Sequence, residues 1–590
     1  MRNVVIAQDE AGGWLLFADP VRFLVAREPA GVRDVLTAAS RAVTDGYCVA
    51  GFMSYEAAAG IDSAMAVHPP RRRVPLAWFG VYRRAEPLAS LPTVRRGASC
   101  RMGDWTCDTG AADYAAAIRR IKAYIREGDT YQVNYTVRLA SRFQGDPYLF
   151  FRRLVKAQQA RCAVYVQTDD LAICSASPEL FFERDGERIR SRPMKGTAAR
   201  GLTPAADRRM AATLASCGKN RAENVMIVDM IRNDLGRIAV PGSVRPSRLF
   251  AIETYPTLHQ MVSTVEAETH ADMARTITAL FPCASITGAP KVRTMQLIRE
   301  IERSPRGVYT GMCGYWMPGN RARFNVAIRT VVVDRHTGEA VYGTGGGIVW
   351  DSTHESEYDE CFTKARILSR PAPPPFRILE SLLYDPADGW FLLEAHVNRA
   401  AGSAAYFGYP FDARAMRCAL NNCVRDNGVG RRPLKVRWLL SRDGRMHTAA
   451  ATLPEEAEPW TVGVALNACR HDDVFVHHKT THRRVYDKAL KRYPACRDVI
   501  LVNDQGFVTE SCYANVVLDV DGRTITPPVS SGLLDGTFRA YCVRRGDVGE
   551  QPVTVEMLRR ADRVWLINSV RKWIPVRIPP EEMRSSRGHE

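Results

Sequence analysis

Two lysines in this chain sit where an amine can do more than carry charge. Lys195 lies in Pro193-Met194-Lys195-Gly196-Thr197, read as a turn, between a proline that fixes its own φ and a glycine that lets backbone approach a ligand closely. Lys479 lies in His477-His478-Lys479-Thr480-Thr481. Each is either a salt-bridge partner or, once burial or a neighbouring cation draws its pKa down, a nucleophile or base. Carboxylates accompany the first lysine: Glu179 after Ser177-Pro178, Glu223 within 221–234, and Glu357 with Glu360, three apart and so on one helical face. Glu223 with Glu360 suits Mg²⁺, which takes one or two carboxylates and keeps waters or substrate oxygens. Gly343-Thr344-Gly345-Gly346-Gly347 follows a strand pattern, and its N–H groups read as an anion nest. Glu510 and a helix opening at Gly536-Thr537, a favourable place for a phosphate, accompany the second lysine. Taken singly, these pieces also serve as turns, solvated carboxylates and helix caps.

The elements that must position them alternate irregularly. Asp113 is placed to cap a helix carrying Tyr114, Ile118, Ile121 and Ile125, and 132–139 alternates as a strand with one polar face of Gln132, Asn134, Thr136 and Arg138. Strands are predicted at 162–167, 171–174, 180–183, 324–333 and 339–343, and helices at 205–216, 219–232, 272–280 and 290–302. The later chain mixes strands at 377–384, 390–393, 434–440, 462–467, 499–502 and 515–518 with helices. This order predicts an α+β protein with largely antiparallel sheets. Pro371-Ala372-Pro373-Pro374-Pro375 cannot continue a helix or a central strand, so 371–375 is read as a linker between domains at 1–370, with its core at 110–370, and 376–590.

Composition narrows the function classes. The 590 residues carry 81 Lys and Arg against 64 Asp and Glu, a net charge of +17, which attracts anions. No helix-turn-helix, zinc-finger spacing or RNA-binding aromatic strand accompanies that charge, so nucleic acid is not the expected partner; a solvated arginine-rich surface is the first reading of the excess and small polyanionic substrates the second. Fifteen cysteines, odd in number and never spaced as CxxC, argue for reduced thiols. No apolar stretch reaches the roughly 20 residues needed to span a bilayer. The expected location is the cytoplasm, away from membranes.

Residues 110–370 resemble the chorismate-utilising enzymes, which include anthranilate synthase, isochorismate synthase and aminodeoxychorismate synthase component I. The resemblance rests on Ser177-Pro178-Glu179, Pro193 to Thr197, the 223–234 segment, Ile286-Thr287-Gly288-Ala289-Pro290-Lys291 and the glycine run followed by Glu360, in that order. It implies Mg²⁺ held by Glu223 and Glu360, substrate carboxylates held by Gly196, Thr197, Tyr309, Arg329 and Gly345, Gly346 and Gly347, Glu179 as general acid/base at C4, and His259 near the enolpyruvyl group. Within that family, anthranilate synthases typically have alanine where this chain has Lys195; lysine marks the aminodeoxychorismate branch, where it adds covalently to the ring.

Residues 376–578 resemble the branched-chain aminotransferase and aminodeoxychorismate lyase family, pyridoxal phosphate (PLP) enzymes of fold type IV with two α/β subdomains. Glu394 to Arg399, Lys479, Glu510 and Ser531 to Arg539 carry that resemblance. It implies Lys479 as the Schiff-base lysine, Glu510 as partner of the pyridine nitrogen, Arg399 and Thr537 toward the phosphate, and Asn568 in a late active-site motif. Asp535 replaces a proline common before the glycine turn, and a carboxylate there opposes phosphate binding unless it points away. Together the two resemblances imply amination of chorismate at C4, then elimination of pyruvate to 4-aminobenzoate for folate. The alternative is an anthranilate- or isochorismate-type synthase fused to a branched-chain or D-amino acid transaminase. Cys48, Cys283 and Cys313 lack the setting of a glutaminase nucleophile, so ammonia is expected from a separate glutamine amidotransferase subunit. The second resemblance leaves room for dimerisation of the PLP half.

Overall fold

The computed structural model describes residues 3–94, 97–369, 374–427, 432–454 and 459–579. These group into two compact units. One comprises the chain through Ala199 and from Ala211 to the proline-rich stretch; the other comprises Arg200–Met210 and the chain beyond that stretch. Of the expected linker, 371–373 lies outside the described residues.

The first unit is built on sheets of 11 and 10 strands with antiparallel pairings. Val5, Phe17 and Val166 of the larger sheet meet Phe52, Trp78 and Tyr315 of the smaller in one apolar cluster. Helices Val32–Thr44, Gly218–Gly236 and Met273–Leu280 cover the other face of the 10-stranded sheet. Pro147–Gln158 packs against the 11-stranded one. Central strands are thus covered on both faces, which is why Ala77–Tyr82 and Met312–Met317 are buried at every residue and read as continuous apolar runs.

Four local expectations change. The glycine run is not a nest: Glu339–Ile348 is one strand, paired through Gly347 to Asn134. The run expected at 324–333 is two strands, Arg321–Val326 and Thr330–Asp334, broken where Arg329 takes φ of 50°. Gly110, not Asp113, caps the helix Ala111–Arg126; Asp113 lies in its first turn and pairs with Arg303 at 2.9 Å. Lys195 is not in a turn but on the strand Met194–Ala199.

The second unit has a four-stranded antiparallel sheet (Gly389–Trp390, Ile378–Asp385, Leu434–Leu440, Met446–Thr452) backed by helices Leu393–Phe407 and Ala413–Asp426. Its nine-stranded sheet is mixed, with Trp460–Cys469 parallel to Asp498–Asn503. The strand expected at 390–393 stops at Trp390, because a helix begins at Leu393.

A buried charge cluster ties the larger sheet to the helix Lys291–Ile301. Glu302 accepts from Arg138 Nη2 at 2.9 Å, Arg306 Nη2 at 2.7 Å and the Thr136 N–H and Oγ at 3.0 and 2.7 Å. Burial alone pushes the Glu302 carboxyl up, but Arg306 and Arg138 hold it below its ordinary value. Removing one member strands buried charges, so Glu302→Ala is expected to cost about 3–5 kcal/mol, read as a lower urea midpoint for the first unit.

Candidate active sites

In the first unit, Met194–Ala199 pairs with Leu258–Glu268, and the register slips between Met194 and Thr197. Gly196 sits in that slip with φ of +84°, and a Cβ there would come within 3.0 Å of Asn220. Such a bulge re-aims the neighbouring side chain. Lys195 Nζ ends over Gly347: a Cβ on Gly347 would lie 2.8 Å from that nitrogen and would collide with the Gln132 amide. The strand needs glycine at 347 because the lysine crosses it.

Burial draws the Lys195 pKa down, while Glu223 and Glu179 push it back up and Lys364 lowers it further. Glu179, 3% exposed, is pushed by burial up to about 7, against the pull of Ser285 and Lys195. Ser285 Oγ donates to Glu179 Oε1 at 2.7 Å. Glu223, from the helix Gly218–Gly236, is raised by burial and by Glu360, with Lys195 opposing. Glu360, from the helix His354–Ala365, would rise on burial, but Lys364 at 2.6 Å, Lys195 and Arg329 hold it below its ordinary value. Lys364 Nζ also donates to the Gly345 carbonyl at 2.7 Å. The structure therefore gathers Lys195, Glu179, Glu223, Glu360 and Gly347 into one electrostatically coupled site.

The remaining expected residues spread around it. Gln260 links Gly196 and Thr197, donating to the Gly196 carbonyl at 2.9 Å and accepting from Thr197 Oγ at 3.1 Å. His259, buried, pairs with Ala198 in register and shares a 3.1 Å hydrogen bond with Thr254. Tyr309 is buried under the Arg138 guanidinium, and Gly343 is required beside its ring. Arg329 donates to the Lys364 carbonyl at 3.2 Å. A Cβ on Gly346 would lie 2.9 Å from Glu357 Oε2.

Among the described residues no group of three or more His, Cys, Asp or Glu side chains is arranged to hold a metal. Two carboxylates that repel, Glu223 and Glu360, nevertheless offer hard oxygens whose repulsion a cation relieves, and they fit Mg²⁺ with water or substrate completing its shell. Gln132, Ser285 and Lys364 were not among the expected site residues. Gln132 is fully buried with both amide atoms unpartnered beside Lys195. Its place on the polar face of an alternating strand was the available signal; Ser285, in the short 3-10 helix Ala284–Ile286, carried none.

In the second unit, Lys479 and Glu510 line a cavity of about 770 Å³ with Arg399, Thr537 and Asn568. Burial and then Arg399 bring Lys479 down to about 8, with Glu380 opposing. Burial pushes Glu510 up to about 7, against Tyr486, whose hydroxyl donates to it at 2.7 Å. Buried Glu380 holds Arg399 through two hydrogen bonds of 2.9 and 2.7 Å and His396 through a third of 2.7 Å. His396 shares a 3.2 Å hydrogen bond with Thr537. Despite its burial, Arg399 and then His396 hold Glu380 down to about 2. Gly536 precedes the helix Thr537–Arg545, and a Cβ there would collide with Asn515. Asp535 turns its carboxylate to Arg539 at 3.2 Å and presents only its carbonyl to Arg399. A glycine-opened helix N-terminus, an arginine, an enclosed amine and a carboxyl poised near neutrality fit pyridoxal phosphate.

The chorismate binding enzyme family matches residues 16–370, and the class IV amino-transferase family matches 377–578. The chain belongs to the chorismate binding enzymes and carries a class IV aminotransferase domain after that part. It is 40% identical over 269 residues to aminodeoxychorismate synthase component 1 of Salmonella typhimurium, covering 45% of this chain and 59% of that protein. It is 38% identical over 263 residues to an anthranilate synthase component 1 of Haloarcula marismortui, covering 44% and 52%. The chain thus spans between half and three fifths of the length of these relatives. The structure of anthranilate synthase component I from Streptococcus pneumoniae superposes with a TM-score of 0.53 at 22% identity, covering 60% of this chain and 92% of that one, which shows a shared fold.

Gly347→Ala is expected to weaken chorismate binding about ten-fold or more, about 1.4 kcal/mol, in titration calorimetry. Gly236→Ala, whose Cβ meets nothing, is expected to leave it unchanged.

Proposed function

We propose that the chain makes 4-aminobenzoate in two steps. The first unit aminates chorismate at C4 to 4-amino-4-deoxychorismate; the second removes pyruvate from that product, for folate synthesis. The observation that carries the reading is the enclosed amine of Lys195, its pKa drawn down beside a Glu179 carboxyl held near 7. An amine losing its proton can add at C2 of the ring, and a carboxyl that keeps its proton can give it to the departing C4 hydroxyl. Ammonia then bonds at C4, the ring double bond shifts back, and Lys195 leaves C2. Glu223 and Glu360 would hold Mg²⁺, which stabilises charge on the ring carboxylate. Gly196, Thr197, Tyr309, Arg329 and Gly345 to Gly347 are assigned to the substrate's carboxylates, and His259 to its enolpyruvyl side.

In the second unit, bound PLP supplies an electron sink for the carbanion formed when the C4 proton is removed. Lys479, near 8, is suited to take that proton, and Glu510 to keep the cofactor's ring nitrogen protonated. Arg399 and Thr537, held by Glu380 and His396, would anchor the phosphate. Asn568 lines the same cavity. The Salmonella relative is named component 1 of its synthase, which supports a separate glutamine amidotransferase subunit as ammonia source here. The Haloarcula relative favours a second reading, amination at C2.

Chorismate with ammonium and Mg²⁺ decides between them by mass of products. The proposal expects 4-amino-4-deoxychorismate without PLP and 4-aminobenzoate plus pyruvate with it; anthranilate overturns it. Lys195→Ala is expected to lose about 10²–10⁴-fold in C4 amination, whereas Lys479→Ala keeps amination and loses both pyruvate release and the bound cofactor's absorbance band. Glu179 acts protonated, so amination is expected to fall as pH rises through about 7. Ser285→Ala removes a hydrogen bond that favours the carboxylate, so the alkaline limb is expected to move to higher pH.

A further inference from the structure

The strand Leu434–Leu440 puts Leu434, Val436, Trp438 and Leu440 into the apolar core and turns Lys435 and Arg437 to the opposite face, where both line the Lys479 cavity. The residues paired with Arg437, Ala449 and Ser381, are small, and Lys435 lies between Ala451 and Leu383. Both cations stay exposed on that face. Among the described residues neither makes an ion pair or a side-chain hydrogen bond, although a lysine and an arginine on a sheet face readily find both. Arg571 lines the same wall. Burial, then Arg571 and Arg437, lowers the Lys435 pKa, as expected for a cation crowded by its own sign. Of the described lining residues seven are Lys or Arg and one, Glu510, is acidic, and Glu510 is already bonded to Tyr486. Anions are therefore drawn in, and the positive charge extends beyond what a phosphate at Arg399 and Thr537 uses.

We propose that Lys435 and Arg437 form the carboxylate-recognition edge of this cavity, selecting a ring dicarboxylate over a monocarboxylate amino acid. The inference rests on the reading that the second unit consumes the C4-amino product, which carries one carboxylate on ring C1, across the ring from the reacting amine, and a second on the enolpyruvyl group at C3. Lys435 and Arg437 supply the opposite pole: the amine is directed to Lys479 while the carboxylates meet the two cations. A planar guanidinium at 437 can grip one carboxylate through two parallel hydrogen bonds, and the ammonium at 435 adds a point charge.

The test uses the full chain loaded with PLP, because the absorbance of bound cofactor reports only on this cavity. Isophthalate, a ring dicarboxylate, is titrated against benzoate, and pyruvate release from 4-amino-4-deoxychorismate gives KM and kcat. Wild type is expected to prefer isophthalate by about ten-fold or more, the scale of a lost charge-assisted hydrogen bond. Arg437→Gln and Lys435→Gln are each expected to raise KM by a similar factor with kcat within about three-fold, and to erase much of the isophthalate preference. Arg437→Lys should recover part of it. An unchanged KM and an unchanged isophthalate-to-benzoate ratio in variants that keep the cofactor band overturn the assignment. If Arg437→Gln does not fold, Lys435→Gln decides alone. If wild type releases no pyruvate, the reading of the second unit fails, and the isophthalate preference still decides whether the dicarboxylate edge exists.

Discussion

An amine taken out of water is the constraint on which the first unit depends. Lys195 loses hydration, which favours its neutral form, yet Glu223 and Glu179 stand close enough to favour the charged one. Neither tendency is left alone: Lys364 ties up Glu360 and adds a like charge, while Ser285 steadies Glu179. The surrounding backbone obeys that arrangement. A bulge at Gly196 aims the lysine, and a glycine at 347 gives it somewhere to go.

The second unit handles the same cost differently. There the cation that acts most strongly on the reactive lysine, Arg399, is neutralised by Glu380, a carboxylate that is 1% exposed and bonded on both oxygens. Breaking such a pair leaves an uncompensated buried charge, so Glu380 holds Arg399 and His396 in place before any phosphate arrives. Among the described residues Glu510 has no such cation bonded to it, and burial holds its carboxyl at about 7. One buried glutamate is kept charged and the other poised, by the presence or absence of a bonded guanidinium.

Much of this was legible from residue order. Antiparallel α+β architecture followed from strand and helix alternation, and the helix carrying Glu357 and Glu360 from their spacing. The glycine run was misread because glycines signal turns far more often than central strands; only the crossing of Lys195 and the packing of Tyr309 and Glu357 explain why this strand lacks side chains. Arg329 broke a predicted strand through a backbone conformation that no apolar pattern encodes. Asp535 opposes phosphate binding by residue type, but its carboxylate turns toward Arg539.

By itself the sequence determined which chemical groups are present, their order, and the local periodicities that make strands and helices; hydrophobic alternation needs only neighbours along the chain. Which carboxylates surround Lys195, that Gln132 and Ser285 join them, and that Lys435 and Arg437 line the cavity of Lys479 were decided by tertiary structure. Those contacts join residues distant in sequence, and a pKa depends on burial and on nearby charge, both of which come into being only when the sheets close.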